Sequence, residues 1–238
     1  PMATWELPAE SDDPPPRRVD AATWVDGRGR VFKFSEATQD ITCVRDPVQE
    51  AQVFTAAMYD KDPGPDRPDP ESRAILDAVV RRFKDEKFIC GPSGGEVGIV
   101  LLGGMERGLA ELIDNPEAVR AATALELRRQ NLSDEAFIHP DADAVLWAGD
   151  FGHRTGPFVS PRMFRDLFLE ANTARARSVR ERFGKRLVKH CCGNVWSYLD
   201  FFVEIGYDVY QAVQPSAGMD IGRVKDAFGD RLALWGGV

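Results

Sequence analysis

The sequence predicts an α/β protein in which parallel strands alternate with helices. Three observations carry that reading. From residue 70 onward, short apolar runs alternate with longer segments of helical periodicity. Three of the helical segments open on Asp-Pro, Asn-Pro or Ser-Pro, and several close on glycine, the usual start and stop signals of a helix. The connections are short, and successive strands joined through a helix run parallel.

The elements follow in order. The first seventy residues hold ten of the sixteen prolines and show little periodicity. Pro14-Pro15-Pro16 and the run Asp60 to Pro70 cannot be interior helix or central strand, because proline lacks the N–H and fixes φ. Between them, Thr23 to Phe34 alternates around a glycine-containing turn and reads as a small hairpin. Residues 1–69 are therefore expected to be an irregular excursion on a larger domain spanning 70–238. Asp69-Pro70-Glu71 starts a helix with an apolar stripe of Ile75, Val79, Val80 and Phe83. Phe88-Ile89-Cys90 is a short strand, and Asn115-Pro116-Glu117 opens a helix carrying Val119, Ala122, Leu125 and Leu127 inside. Ala144 to Gly149 is a continuous apolar strand. Ser160-Pro161 caps a long helix that runs to Arg182 and closes at Gly184. Strand Arg186–Lys189, helix Val195–Ile205, strand Asp208–Val213, a short helix capped by Asp220, and strand Leu232–Trp235 complete the chain. A doubly wound sheet and a (β/α)8 barrel both fit this alternation. The chain begins Pro1-Met2 and ends on Leu234-Trp235-Gly236-Gly237-Val238, which reads as a buried strand stopped before its loop. A fragment is expected.

Composition narrows the function classes. Hydrophobic residues make up 43% and charged residues 29% of 238, an ordinary globular mix. The net charge of −8 argues against nucleic acid or an anionic membrane surface as main partner. No stretch approaches the roughly 20 apolar residues of a membrane span, and no secretory leader is visible. Four cysteines in a chain this long are no disulfide framework, so a cytoplasmic location is expected. No G-x-G-x-x-G follows a strand and no P-loop motif occurs.

In either architecture the chemistry sits at the C-terminal strand ends. Strand 186–189 delivers His190-Cys191-Cys192-Gly193-Asn194. Alternation sends His190 and Cys192 to one side and Cys191 to the other. A His-x-Cys pair suits zinc, which takes nitrogen and sulfur ligands; the same residues also suit a plain buried core. Strand 144–149 delivers Asp150, a candidate catalytic acid or a simple cap, followed by His153 and Arg154, which could meet an anionic substrate. Strand 208–213 carries Gln211 and delivers Gln214, either a ligand-binding group or a satisfier of loop backbone. The loop Gly91 to Glu96 permits close backbone approach to a ligand or makes a plain turn.

Several of these pieces together resemble the uroporphyrinogen decarboxylase superfamily. They are Asp150-x-Gly152 leading to Gly156 through Phe164, then His190-x-Cys192-Gly193-Asn194, then Gln214-Pro215 to Asp220 and Phe228 to Gly237. The resemblance covers roughly residues 88–238 and implies a TIM-type (β/α)8 barrel. The superfamily's decarboxylase branch carries an N-terminal arginine motif that Arg17-Arg18 does not match. Its cobamide-dependent methyltransferase branch carries H-x-C and a later cysteine as zinc ligands. His190 and Cys192 match that pattern, and the later cysteine would fall beyond Val238. The resemblance thus implies a zinc-dependent methyltransferase, working with a corrinoid protein as partner and a thiol or folate as acceptor. In that reading Asp150 and Gln214 are catalytic, His190 and Cys192 bind zinc, and His153 and Arg154 bind substrate. A decarboxylase of a carboxylated tetrapyrrole and a non-catalytic ligand-binding barrel are the competing expectations.

Overall fold

The computed structural model describes residues 16–36, 40–47 and 52–237. Pro14, Pro15 and Val238 lie outside the described residues. The chain forms two compact units, one of residues 1–54 with 101–110, the other of 55–100 with 111–238.

The first unit is built on a four-stranded antiparallel meander: β1 (Arg17–Arg18), β2 (Thr23–Val25), β3 (Val31–Ser35) and β4 (Asp40–Arg45). The expected hairpin is β2–β3, with Trp24 opposite Phe32. Asp26 makes its turn: the carboxylate accepts from the Arg28 and Arg30 backbone N–H groups, both at 2.9 Å. β1, two arginines, lacks the apolar alternation of a strand, and β4, which carries it over Asp40 to Cys43, is a strand the sequence reading did not assign. Trp24 is the buried anchor of this sheet. In the same unit the Arg107 guanidinium stacks over Phe54 at 4.6 Å.

The second unit holds a five-stranded, all-parallel sheet. Its strands are β5 (Cys90–Gly91), β6 (Ala144–Trp147), β9 (Arg186–His190), β10 (Val209–Ala212) and β11 (Ala233–Gly236). A two-stranded ribbon of β7 (Gly152–His153) and β8 (Gly156–Pro157) follows β6. The helices are α1 (Pro70–Phe83), α2 (Met105–Asp114, shared by the two units), α3 (Pro116–Phe137), α4 (Pro161–Phe164), α5 (Glu170–Phe183), α6 (Leu199–Ile205) and α7 (Ile221–Phe228). A π-helical segment, Arg165–Leu169, joins α4 to α5, and a 3-10 turn, Trp196–Tyr198, precedes α6. α2 is an element the sequence reading did not assign.

The strands lie in the sheet in the order β5, β6, β9, β10, β11, which is their order along the chain. A doubly wound sheet needs a reversal of that order, and the described sheet has none. The sheet is open, with β5 and β11 as its edges among the described residues. The closed eight-stranded barrel expected from the resemblance is therefore not formed by the described residues.

Register assigns each strand residue to a face. Val145, Trp147, Leu187, Lys189 and Tyr210 share one face. Helices cover it: Phe202 of α6 meets the Tyr210 ring at 5.5 Å, and Arg175 of α5 lies 5.3 Å from the Trp147 ring. Leu146, Val188, Val209, His190, Gln211 and Trp235 share the other face. There Leu146 and Trp235 stand 38% and 54% exposed. The closing strand, expected to be buried, is thus an edge strand. Helical crossovers between strands taken in chain order cover the first face, while on the second Val188, between Leu146 and Val209, is buried.

The helix signals act as anticipated at several ends. Asp69 accepts from the Ser72 N–H at 2.8 Å, Ser160 from Met163 and Asp220 from Arg223. Gly184 and Gly206 close α5 and α6 at positive φ. Asn115 departs from the pattern: its side chain reaches back to Glu111 instead of capping α3. The apolar stripe of α1 is also corrected. Leu76, Val80 and Phe83 pack on Ile89 and Ala142, whereas Ile75 and Val79 face solvent. Ile75 and Val79 each precede a packed residue by one position, about 100° around the helix.

The covered face contains a buried ion pair. Arg175 and Asp134 meet through two bonds of 2.6 Å with both side chains fully buried. Arg175 also donates to the Gly95 carbonyl, and Asp134 accepts from the Gly94 N–H. The glycine loop after β5 is thereby clamped to two helices. A Cβ on Gly94 would stand 2.1 Å from the Gln130 carbonyl oxygen, so close packing against α3 demands this glycine. Breaking a buried pair strands the surviving charge. Arg175→Met is expected to destabilise by about 3–5 kcal/mol in urea unfolding. The double variant Asp134→Leu/Arg175→Met is expected to lose much less than the sum of the singles. Additive losses would show that the pair is not coupled.

Candidate functional site

The C-terminal ends of β6, β9 and β10 meet, and their side chains make one constellation. Strand alternation places His190 and Cys192 together, with His190 Nε2 3.3 Å from Cys192 Sγ. Asp150, just beyond the end of β6, directs Oδ1 at the Cys192 backbone N–H, 2.7 Å away, and that oxygen lies 3.9 Å from His190 Nε2. The three residues are a group whose ligand atoms all lie within 4.8 Å of one another. Asp150 is exposed while His190 and Cys192 are half-buried, so the group opens to solvent on the carboxylate side. From β10, Gln211 Oε1 bonds to His190 Nδ1.

Cys191 turns the other way, as alternation requires. It is fully buried and its sulfur accepts from the Phe151 N–H at 3.2 Å. Burial pushes its thiol up to about 12. Cys192 is also pushed up, first by burial and then by the Asp150 carboxylate. Two adjacent cysteines thus stay neutral thiols at neutral pH for related reasons, one inside the core and one in the site.

The turn that carries these groups is tightly held. Gly193 has φ 82°, and a Cβ on it would stand 2.7–2.8 Å from the Gly152–His153 backbone, so only glycine fits. Its N–H donates to Gln214 Oε1 at 2.7 Å, and Gln214 Nε2 donates to Ser216 Oγ at 2.9 Å. Gln214 therefore sits at this end of the sheet with its amide bonded to loop groups. Ala212 and Val213 have φ of 104° and 47°, a strained path of about 1–3 kcal/mol per residue. The Gly237 N–H bonded to Ala212 O at 2.9 Å helps hold it. His153 lies on the ribbon with its ring near Phe158, at 5.8 Å, and Nδ1 beside Thr155. The His153 carbonyl accepts from Asn194 N–H. The His153 and Arg154 side chains are exposed and do not join the three-residue group.

Sequence reasoning missed the groups behind the site. Lys189 is fully buried and its ammonium donates to Glu96 Oε2 at 2.6 Å and to the Gly149 carbonyl. Glu96 also accepts from the Gly149 N–H and from the Tyr207 hydroxyl. Burial, followed by the Glu96 charge, pushes the Tyr207 hydroxyl well up. This pair anchors the end of β6 just before Asp150. The available signal was a lysine at a position where the strand alternation calls for an apolar side chain. Beside Asp150 a cavity of about 350 Å³ is lined by Ser93, Glu96, Val97, Leu146 and Ala148.

The donor set can be tested against a metal. Zinc is held by imidazole nitrogen, thiolate and carboxylate oxygen at roughly 2.0–2.3 Å, tetrahedrally. Such bonds separate N from S by about 3.5 Å and N from O by about 3.4 Å. The His190–Cys192 separation of 3.3 Å is close to the first, and the His190–Asp150 separation of 3.9 Å is about 0.5 Å longer than the second. The residue types suit zinc, and the group is open on the carboxylate side.

No family model matches the chain, and no curated protein matches it. Among solved structures, a methyltransferase from Methanosarcina mazei is similar over 53% of this chain, with 19% identity and a TM-score of 0.38. The match spans 35% of that protein's length.

In the metal-free protein, alkylation followed by peptide mass spectrometry at pH 8 is expected to label exposed Cys43 first, Cys192 more slowly and Cys191 only on unfolding. Cys191 labelling as fast as Cys43 would contradict the packing described.

Proposed function

We propose that this chain is a zinc-dependent methyltransferase. It moves a methyl group between a corrinoid held on a partner protein and a thiol or folate acceptor. One observation carries the reading: Asp150, His190 and Cys192 converge from two strand ends into an N, S, O donor set. The resemblance of the His190-x-Cys192-Gly193-Asn194 turn supports it, as does the chain-ordered parallel sheet, which is the winding of a (β/α) barrel.

His190 and Cys192 would hold the ion, and Asp150, beside them, would supply a third protein ligand in place of the later cysteine the resemblance implies. Bound zinc supplies the positive charge that keeps a coordinated sulfur ionised at neutral pH. The protein's own groups do the rest. Gln214 and Asp150 hold the backbone of the turn through Gly193 and Cys192. Lys189 and Glu96 neutralise one another behind the site, leaving the carboxylate of Asp150 as the local charge. The cavity beside Asp150 adjoins the carboxylate of the group. His153 and Arg154, exposed on the ribbon, would meet an anionic part of the acceptor. The decarboxylase reading calls for free basic groups around Asp150. The buried cation at this end, Lys189, is committed to Glu96, which leaves Arg154 of the ribbon as the basic group nearest Asp150 in sequence.

The purified protein is expected to bind about one zinc per chain, as a one-site centre requires. Cys192→Ser and His190→Ala should lose the metal and Cys191→Ser should keep it. Asp150→Asn should weaken binding by tenfold or more, at least the loss typical of an outer-shell change. Methyl transfer from a methylated corrinoid should fail in Cys192→Ser. A wild-type protein without zinc affinity, or full activity in Cys192→Ser, would end this reading.

A further inference from the structure

We propose that Gln211 is a positioning residue: it fixes the His190 ring in the tautomer whose Nε2 carries the lone pair, and so sets which nitrogen the site offers. The inference deepens the metal reading above and rests on it for its purpose. The geometry itself needs no metal.

The argument starts from register. β9 and β10 run parallel with Gln211 directly beside His190. Residues paired this way project from the same face, so the two side chains meet without any loop to place them. Gln211 presents its amide oxygen to His190 Nδ1. An amide oxygen only accepts, and a neutral imidazole has one N–H. Nδ1 is then the protonated nitrogen, and Nε2 is left as an acceptor. Nε2 is also the nitrogen that faces Cys192 Sγ at 3.3 Å and Asp150 Oδ1 at 3.9 Å. The opposite tautomer would put an N–H between the ring and the other two donors, and would require the Gln211 amide to turn over and donate from Nε2 instead.

The backbone holds Gln211 in place. Its carbonyl accepts from the Cys191 N–H at 3.1 Å. Gln211 pairs on its other side with Trp235 of β11. Ala212 and Val213, at positive φ, turn the chain away immediately afterwards. A glutamine at the penultimate position of a strand, in this register and followed by that turn, is set beside His190. An outer-shell acceptor on a ligating imidazole typically changes metal affinity by about 10–100-fold.

The test uses two independent readouts on wild type, Gln211→Leu and Gln211→Glu. The first is long-range 1H–15N correlation of the histidine rings in metal-free protein at pH 8, with His190 identified among three histidines by His190→Ala. Wild type and Gln211→Glu, which retains an acceptor, are expected to show His190 protonated at Nδ1. Gln211→Leu is expected to shift toward the Nε2-protonated form. The second is zinc affinity by competition with a chromophoric chelator. Gln211→Leu should bind about 10–100-fold more weakly, and Gln211→Glu should bind at least as tightly as wild type. Equal urea midpoints for the three proteins exclude a folding effect. His190 protonated at Nε2 in wild type, or an unchanged tautomer and affinity in Gln211→Leu, overturns the role of Gln211. A wild type that binds no zinc overturns the metal reading instead, and the tautomer spectra still decide the role of Gln211.

Discussion

The placement of β9 between β6 and β10 is the constraint on which the rest depends. A strand has two faces and successive residues alternate between them. On β9 and the turn after it, Leu187, Lys189 and Cys191 face the helices, while Val188, His190 and Cys192 face the other way. Register with β10 then sets Gln211 beside His190, and the end of β6 sets Asp150 against Cys192. A slip of one residue would send His190 and Cys192 into the helix layer and bring Lys189 and Cys191 into the site. The chemistry of this chain is in that sense a property of strand pairing.

The covered face enforces the register. Lys189 cannot leave the core without abandoning Glu96, and Glu96 also holds Gly149 and Tyr207. The Arg175–Asp134 pair does the same for the glycine loop after β5. Buried ion pairs are weak contributors to net stability, but leaving one half unpaired is costly. Alternative packings that separate these charges are therefore strongly disfavoured. The polar network behind the sheet selects one arrangement of strand ends, and the donors in front inherit it.

Much of this was legible in the sequence, for identifiable reasons. Helix starts at Asp69, Ser160 and Asp220 could be read because a cap bonds to residues three positions on. The division of Cys191 from Cys192 could be read because alternation is local. Gathering Asp150 and His190 at one end of a parallel sheet also followed from strand order alone. What escaped was non-local. Nothing in the sequence near His190 says that Gln211, rather than Gln214, is its neighbour; that needs the register. Lys189 and Glu96 are 93 positions apart, and only the fold shows that they neutralise one another. β1 exists through pairing with β2 rather than through its own pattern. On α1 the sequence offered two overlapping apolar stripes, and packing on Ile89 and Ala142 chose Leu76, Val80 and Phe83.

The central claim is that one ion belongs between Asp150, His190 and Cys192. Anomalous diffraction from crystals of the zinc-loaded protein, recorded on both sides of the zinc edge, tests it most directly. The account predicts a single strong peak bonded at roughly 2.0–2.3 Å to His190 Nε2, Cys192 Sγ and an Asp150 oxygen, with His190 Nδ1 still on Gln211. A map without a peak there, or with zinc on His190 Nδ1 and Gln211 displaced, would contradict it.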